Sequence, residues 1–470
     1  MTNNLEQFFS TFKKNEVGYS AEFETPFGRK KILYADWVAS GRLYKPIEEK
    51  MLNVFGPLIG NTHSEASETG VVMTKAYDYA KKIIKNHVNA TDNDVLISSG
   101  AGMTRIVNKF QRILGLKLPD KSSYFTQITG VDLSCKIDLG NNRPVVFVSH
   151  LEHHSNHFSW NETIAEVVLI EPKEDLTFSL ENLNKELEKY SERKIKIGAF
   201  SAGSNVTGYV LPFYEIARTM HNHNGFCFLD FAAVAPYIEI DMHRNDEKGE
   251  YFDAIYFSPH KFLGGPGSAA VLVFNKNMYT NLIPDNPGGG TVLWTNPWNE
   301  LAYVDDIEIR EDGGTPAFLQ TIRTALSIKL KEQMKVDNIK NREDELIHLA
   351  FDKFMKIKGM HILSENIRER IGVISFYSEF VHHNLMTKLL NDRYGIQVRG
   401  GCSCAGPYGH YLFNIDKKIS HLFTKKISNE DASEKPGWVR VSLHPTMTNY
   451  ELDYIVDAIN EITENIDEWT

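Results

Sequence analysis

The sequence predicts an α/β protein whose larger part is a doubly wound, mixed sheet of seven strands. Three observations predict this fold. From residue 95 onward, short apolar runs alternate with helical stretches, which is the pattern of strand–helix–strand units. The polar residues that could carry chemistry fall directly after the strands, where open α/β sheets bind ligands. The strand 269–274 begins too soon after the preceding strand for a parallel crossover, so its pairing must be antiparallel.

The individual elements follow from local patterns. Apolar runs bounded by turn residues predict strands at 32–34, 95–98, 145–149, 166–170, 194–201, 226–229, 253–257, 269–274, 372–377 and 438–442. Helical stretches are predicted at 5–13, in a run that ends at residue 87, and at 105–114, 213–222, 317–356, 382–394 and 448–464. Residues 414–436 are charged and are predicted to be irregular.

The chain length allows a large domain with smaller lobes, since it has 470 residues. We expect residues 1–44 to be an N-terminal segment that contributes to the small domain. Residues 45–310 would form the large domain, and residues 311–470 a small C-terminal α/β domain.

Charge and cysteine content exclude several classes of protein. The formal net charge is −10 and no basic run occurs, which argues against a nucleic-acid surface and against anionic membranes. No apolar run approaches a membrane-spanning length, and the first residues do not have the pattern of a signal peptide. Four cysteines in so long a chain favour reduced thiols, so we expect a cytoplasmic protein.

One lysine is unusual because of its position. The segment YFSPHKFLGGPG (256–267) continues from a predicted strand and carries Ser258, His260 and Lys261. Lysines are rarely buried without a partner or a task, and one such task is an imine with an aldehyde cofactor. The alternative is a surface lysine after an edge strand, followed by an ordinary Gly-Pro turn. This segment alone is compatible with both interpretations.

Other strand ends carry groups that suit an anionic, aromatic ligand. The turn 99–104 opens a helix, and its free N–H groups are either a phosphate site or part of an ordinary strand-to-helix turn. Four histidines in residues 150–157 follow a strand into a loop; we favour one imidazole stacking on a ligand over a metal site. Asn205 is either a ligand contact or a turn former, and Asp230 is an acid that needs a partner.

These groups together match the needs of pyridoxal phosphate (PLP). That cofactor requires a lysine for an imine, an acid that keeps the ring nitrogen protonated, an anion site and a group that stacks on the ring. Lys261, Asp230, the turn at 102–104 and His153 meet these four needs, and Asn205 offers a further hydrogen bond.

The motifs resemble those of the class V aminotransferase family of fold-type-I PLP-dependent enzymes, most closely its cysteine desulfurase branch. The resemblance runs from about residue 34 to residue 457. It rests on motifs in a shared order: YADWVAS, EHHSN (152–156), SNVTG (204–208), Asp230, SPHK (258–261), GGGT (288–291), the segment 311–316 and RGGCSCA (399–405). The implied fold is that of PLP-dependent transferases of type I.

The resemblance implies a role for each site residue. Lys261 would form the internal aldimine and move the Cα proton, with His153 stacked on the ring as a further catalytic residue. Asp230 would pair with the pyridine nitrogen and Asn205 with the ring hydroxyl. The phosphate would be held by Gly102, Met103, Thr104, Ser258, His260 and, from the other subunit of a homodimer, Thr291. Arg440, assisted by Arg399, would bind the substrate carboxylate.

Cys404 resembles the loop cysteine that takes sulfur from L-cysteine as a persulfide in the desulfurase branch. Arg399 nearby would favour its thiolate. The alternatives are a small residue in a glycine-rich turn, a disulfide with Cys402, or a zinc site with Cys402 and His410, for which a fourth ligand is not evident. The sequence departs from the family at Ala233, where a glutamine is usual, and in a charged insertion at 416–435.

The leading hypothesis is therefore a dimeric PLP enzyme that removes sulfur from L-cysteine and passes it to an acceptor, which could be a protein. The alternative enzyme is a class V aminotransferase or amino-acid lyase that uses no protein thiol. A non-enzymatic scaffold is disfavoured, because such a protein would need neither Lys261 nor Asp230. We expect no metal in the site.

Overall fold

The computed structural model describes residues 4–62, 66–120, 128, 139–429 and 435–469. The strands are Glu22–Thr25, Gly28–Lys31, Leu33–Tyr34, Asp94–Ser98, Val145–Ser149, Glu166–Ile170, Lys196–Ser201, Phe226–Asp230, Ala254–Phe257, Val271–Asn275, Val292–Thr295, Leu301–Tyr303, Met360–Ile362, Val373–Ser378, Ile396–Gln397, Arg399–Gly401 and Trp438–Ser442. The α-helices are Leu5–Lys13, Lys45–Lys50, Glu68–His87, Met103–Ile113, His154–Asn161, Leu180–Lys189, Phe213–Asn222, Ile307–Arg310, Phe318–Met334, Val336–Phe354, His383–Tyr394, Gly406–Leu412, Lys417–Ser428 and Asn449–Trp469.

The large sheet has seven strands, as predicted. Across the sheet the order is Asp94–Ser98, Val271–Asn275, Ala254–Phe257, Phe226–Asp230, Lys196–Ser201, Val145–Ser149 and Glu166–Ile170. Val271–Asn275 is antiparallel to both of its neighbours, whereas the other pairs are parallel. The predicted doubly wound, mixed sheet is therefore confirmed.

Each central strand is buried on both faces, which explains why its sequence is a continuous apolar run. In Val145–Ser149, Val145 and Phe147 belong to one hydrophobic core, whereas Val146 and Val148 belong to a second core on the other face. All five residues of this strand are buried. Helices cover both faces, so the polar groups that are free to meet a ligand lie at the strand ends.

A smaller lobe is built on an antiparallel sheet of four strands. Its order is Met360–Ile362, Val373–Ser378, Trp438–Ser442 and Arg399–Gly401. The N-terminal segment reaches this part of the molecule. Leu33–Tyr34 pairs in parallel with Ile396–Gln397, and Ala35 is buried in the hydrophobic core of the smaller lobe. The domain limits at residues 44 and 310 stay predictions.

Two local predictions were wrong. The histidine segment is not a loop throughout, because His154–Asn161 is a helix with His153 as its N-cap. The region 414–436, predicted to be irregular, contains the helix Lys417–Ser428. The helical stretch predicted at 317–356 is confirmed, and it consists of two helices, because Lys335 between them adopts a φ of 62°, which a continuous right-handed helix does not allow.

Within the described ranges, no helix is both long enough and apolar enough to cross a membrane.

Candidate active site

A cavity opens where the central strands end. Ser201, Asp230 and Ser258 lie at the ends of three neighbouring strands and line it. Nearly all predicted site residues converge on this cavity: Gly102, Met103, Thr104, His153, Asn205, Asp230, Ser258, His260, Lys261, Arg399, Cys404 and Arg440. The predicted site is thus one place in the fold, although its residues span more than 300 positions of the sequence.

Lys261 and Asp230 form the polar centre of the cavity. Burial lowers the pKa of the Lys261 amine, with Asp230 opposing the shift. Burial raises the pKa of Asp230, opposed by the Ala232 N–H, which donates to Oδ1 at 2.8 Å, and by Lys261. Among the described residues, Nζ of Lys261 and Oδ2 of Asp230 have no hydrogen-bond partner. Both groups are therefore available to a ligand, and the lysine is tuned toward a neutral, nucleophilic amine.

One side of the cavity has the features of an anion site. The helix Met103–Ile113 begins there, and its N-cap Gly102 offers no side chain to cap the first N–H groups. Ser258 Oγ accepts the N–H of Met103 at 2.9 Å, and a Cβ on Gly102 would lie 3.9 Å from that oxygen and 4.0 Å from Nε2 of His260. An open helix N-terminus beside a hydroxyl and an imidazole suits a phosphate group.

His153 lines the cavity as a neutral imidazole. Its Nδ1 accepts the N–H of Ser155 at 3.1 Å, so the ring proton lies on Nε2. Burial, together with the nearby charge of Lys261, lowers the pKa of His153 to about 3. Behind it, the buried carboxylate of Glu152 accepts hydrogen bonds from Ser201 and Asn156. A fixed, uncharged ring can stack on the face of an aromatic ligand.

Two arginines meet on a carboxylate that the sequence analysis did not single out. Asp36 Oδ1 accepts Nη2 of the buried Arg440 at 2.6 Å, and Oδ2 accepts Nε of Arg399 at 3.1 Å. Nε of Arg440 has no partner among the described residues. Asp36 lies two residues after the strand Leu33–Tyr34 and within the motif YADWVAS, and these were its signals in the sequence. Its main partner is 404 positions away, so no local pattern reveals the pair.

The two loop cysteines face different surroundings. Cys404 is exposed and lines the cavity, whereas Cys402 packs against the large hydrophobic core. Both ring nitrogens of His410 are occupied, by Gly406 O at 2.8 Å and Ser420 Oγ at 2.9 Å. No group of three metal-ligating side chains occurs in the part of the chain that the structure describes. Among the described cysteines, Cys404 is thus the one whose thiol a ligand in the cavity can meet.

Two residues that were predicted to contact the cofactor hydrogen-bond to other residues of the same chain. Thr291 is buried outside the cavity, and its hydroxyl donates to Gly288 O at 2.6 Å. Asn205 lines the cavity, but its Nδ2 donates to the carbonyl of Ser403 at 2.8 Å. The contacts of Thr291 with a second subunit and of Asn205 with a ring hydroxyl stay predictions.

The cavity fits PLP group by group. A lysine amine without a partner suits the aldehyde, and an acceptor oxygen of Asp230 suits a protonated ring nitrogen. The uncapped helix N-terminus suits the phosphate, and the neutral His153 suits the ring face. When bound, PLP supplies an electron-accepting ring that stabilises negative charge on the substrate.

The chain is similar to known proteins over nearly its whole length. The family model of class-V aminotransferases matches residues 125–455. A "probable cysteine desulfurase" of Halalkalibacterium halodurans is 27% identical over 412 residues, covering 83% of this chain and 91% of that protein. One from Staphylococcus aureus is 25% identical over 410 residues, covering 86% and 90%.

Solved structures agree in fold. An apo cysteine desulfurase from Thermococcus onnurineus NA1 has a TM-score of 0.73 at 18% identity, covering 97% of this chain and 98% of that one. The cysteine desulfurase CsdA of Escherichia coli has a TM-score of 0.70 at 20% identity, covering 99% of both. Since the family model spans well over half of the sequence, the chain belongs to the class-V aminotransferase family, whose members are PLP-dependent enzymes.

Proposed function

We propose that the protein is a PLP-dependent cysteine desulfurase, which takes sulfur from L-cysteine onto Cys404. One observation carries the proposal: an exposed cysteine thiol and the lysine amine line the same cavity. The names of the relatives from Halalkalibacterium halodurans and Staphylococcus aureus support it. The reduced thiols that this chemistry needs agree with a cytoplasmic location, and the three described cysteines are free.

The remaining site residues bind the cofactor, bind the substrate or transfer a proton. Lys261 holds the cofactor and then moves the proton at the substrate Cα, a task for an amine whose pKa burial has lowered. Asp230 pairs with the ring nitrogen, and His153 covers the ring face. Arg440 binds the substrate carboxylate while Asp36 fixes its guanidinium, and Arg399 lies at the edge of the same ion pair.

The sulfur step needs a thiolate at Cys404. Its sulfur attacks the sulfur of L-cysteine, so that an S–S bond forms and the Cβ–S bond breaks. The electron pair of the broken bond stays with the carbon fragment, which takes up a proton and leaves as alanine. An external thiol then attacks the persulfide and releases the outer sulfur as sulfide, or accepts that sulfur itself. We propose that a protein thiol is the natural acceptor.

The products formed from L-cysteine test the function. With PLP-loaded protein and dithiothreitol as the acceptor thiol, we expect equal amounts of alanine and sulfide, because each C–S cleavage yields one of each. Amino-acid analysis and a sulfide assay measure them. Sulfide with pyruvate and ammonia would instead identify a lyase, and a keto acid without sulfide would identify an aminotransferase.

We also propose that the protein is a homodimer. The hairpin that directly follows Thr291 exposes large apolar side chains, with Leu293 68%, Trp294 59% and Trp298 76% exposed. Monomers rarely leave such side chains clustered in water. A second copy packed on this hairpin would bury them and would bring Thr291 near the other subunit's cavity.

Sedimentation velocity tests the dimer. For the wild-type protein we expect a species whose mass is twice that of the chain. Trp298→Asp should shift the population toward the monomer and should bind PLP more weakly. Tyr450→Asp is the matched control, since this aromatic is also 76% exposed but lies on the C-terminal helix. A wild-type monomer with full activity would contradict the proposal.

A further inference from the structure

The loop that carries Cys404 has an unusual backbone. Ser403 and Cys404 have φ values of 50° and 58°, in the left-handed region that residues with a side chain seldom adopt. Two such residues in succession persist only where the surroundings hold them. The loop conformation that places the thiol at the cavity therefore depends on specific contacts.

Those contacts come from three separate parts of the chain. The carbonyl of Ser403 accepts Nδ2 of Asn205 at 2.8 Å, and its hydroxyl accepts Nε1 of Trp438 at 3.2 Å. The carbonyl of Cys404 accepts the backbone N–H of His154 at 2.9 Å. Two residues after the cysteine, the N–H of Gly406 donates to Nε2 of His154 at 2.8 Å. His154 thus holds the loop at two points, at Cys404 itself and at Gly406.

The side chain of His154 is well placed for this task. Nε2 must be unprotonated to accept the Gly406 N–H, and its ring stacks on Phe158 with centroids 4.6 Å apart and an angle of 23°. A Cβ at residue 406 would lie 3.2 Å from Nε2, so the close approach suits glycine. Of the described residues around the cavity, His153 and Ser155 line it but His154 does not.

We propose that His154 is a positioning residue for sulfur transfer, which fixes the Cys404 loop to the start of the helix that follows His153. This inference rests on the proposed desulfurase function. His153 would fix the cofactor ring and His154 fixes the thiol loop, so adjacent residues set the relative position of the two reacting parts. A misplacement of about 1 Å can slow a reaction roughly 10²-fold.

Two variants and a control test the role. His154→Ala removes the acceptor for the Gly406 N–H, and His154→Gln restores one with its side-chain carbonyl. His157→Ala changes a histidine one turn later on the same helix, whose Nδ1 has no partner among the described residues. Three quantities are measured: the spectral change on adding L-cysteine, the single-turnover rate of persulfide formation on Cys404 by mass spectrometry, and amide hydrogen exchange at residues 402–406.

We expect His154→Ala to keep the spectral change and its dependence on L-cysteine concentration, because His154 does not line the cavity. Persulfide formation should slow by roughly 10²-fold, and exchange at 402–406 should accelerate. His154→Gln should recover much of the rate, and His157→Ala should resemble the wild type.

Two results would overturn the inference. One is persulfide formation at the wild-type rate in His154→Ala, and the other is equal exchange at 402–406 in His154→Ala and His157→Ala. A wild-type protein that forms no persulfide would instead refute the proposed function. The exchange comparison would then still decide whether His154 holds the loop.

Discussion

Lys261→Ala is expected to lose the visible absorption band of a cofactor bound through an imine, and to turn over L-cysteine roughly 10²–10⁴-fold more slowly. The reason is that the Lys261 amine lines the cavity, has no partner among the described residues, and has a pKa lowered by burial. Absorption spectra of the purified, PLP-loaded protein and an alanine assay measure both effects.

A second buried lysine provides an internal control for this prediction. Burial also lowers the pKa of Lys331, to about 7, but its Nζ donates to the carbonyls of Ala235, at 2.7 Å, and Ile238. It does not line the cavity. Borohydride reduction of the loaded wild-type protein should therefore label Lys261 and leave Lys331 unmodified. A label on Lys331, or an unchanged band in Lys261→Ala, would refute the assignment.

Cys404→Ala is expected to keep the absorption band and to respond spectrally to L-cysteine, but to release sulfide at least about 10³-fold more slowly. Without this thiol, none of the described residues that line the cavity has a thiol to accept the substrate sulfur, although the groups around Lys261 are unchanged. Spectral titration and a sulfide assay separate the two steps.

The matched control is Cys402→Ala, two residues earlier. Cys402 packs against the large core and does not line the cavity, so its loss should change sulfide release only mildly. Equal losses in both variants would point to a disulfide or metal pair. Full sulfide release in Cys404→Ala, or a keto acid as the main product, would favour a lyase or aminotransferase.

The central strands could be predicted because burial on both faces makes each of them a continuous apolar run. Val145–Ser149, which is buried throughout, has the predicted bounds. The helix His154–Asn161 escaped prediction because its inward side is largely polar. Asn156 is fully buried but donates to Glu152 and to Ala199 O, so hydrogen bonds rather than apolar periodicity fix this helix.

None of the residues of the helix Lys417–Ser428 is buried. The sequence nevertheless carries two signals for this helix. Ile419, Leu422, Phe423 and Ile427 recur at helical spacing, and Asp416 accepts the N–H of Ile419 at 2.8 Å as an N-cap. Part of the charged insertion, residues 430–434, lies outside the described residues.

The residues that line the cavity could be named from the order of motifs, which points to residues expected to contact a ligand. The order of motifs does not identify residues whose role is to position other residues of the site. Asp36 and His154 contact Arg440 and Gly406, which lie 404 and 252 positions away, so only the folded chain brings each pair together.

The position of Val271–Asn275 in the sheet has a consequence for folding during synthesis. This strand lies between Asp94–Ser98 and Ala254–Phe257, so Asp94–Ser98 has no partner in the large sheet until residue 275 has left the ribosome. The turn that follows Asp94–Ser98 would hold the phosphate. The strand before this turn can pair in the sheet only after its partner strand, about 170 residues later in the chain, has been synthesised. Such distant pairing is slow and leaves strand edges exposed in the meantime. A nascent chain that stalls before Val271 should therefore be prone to aggregation and should depend on chaperones.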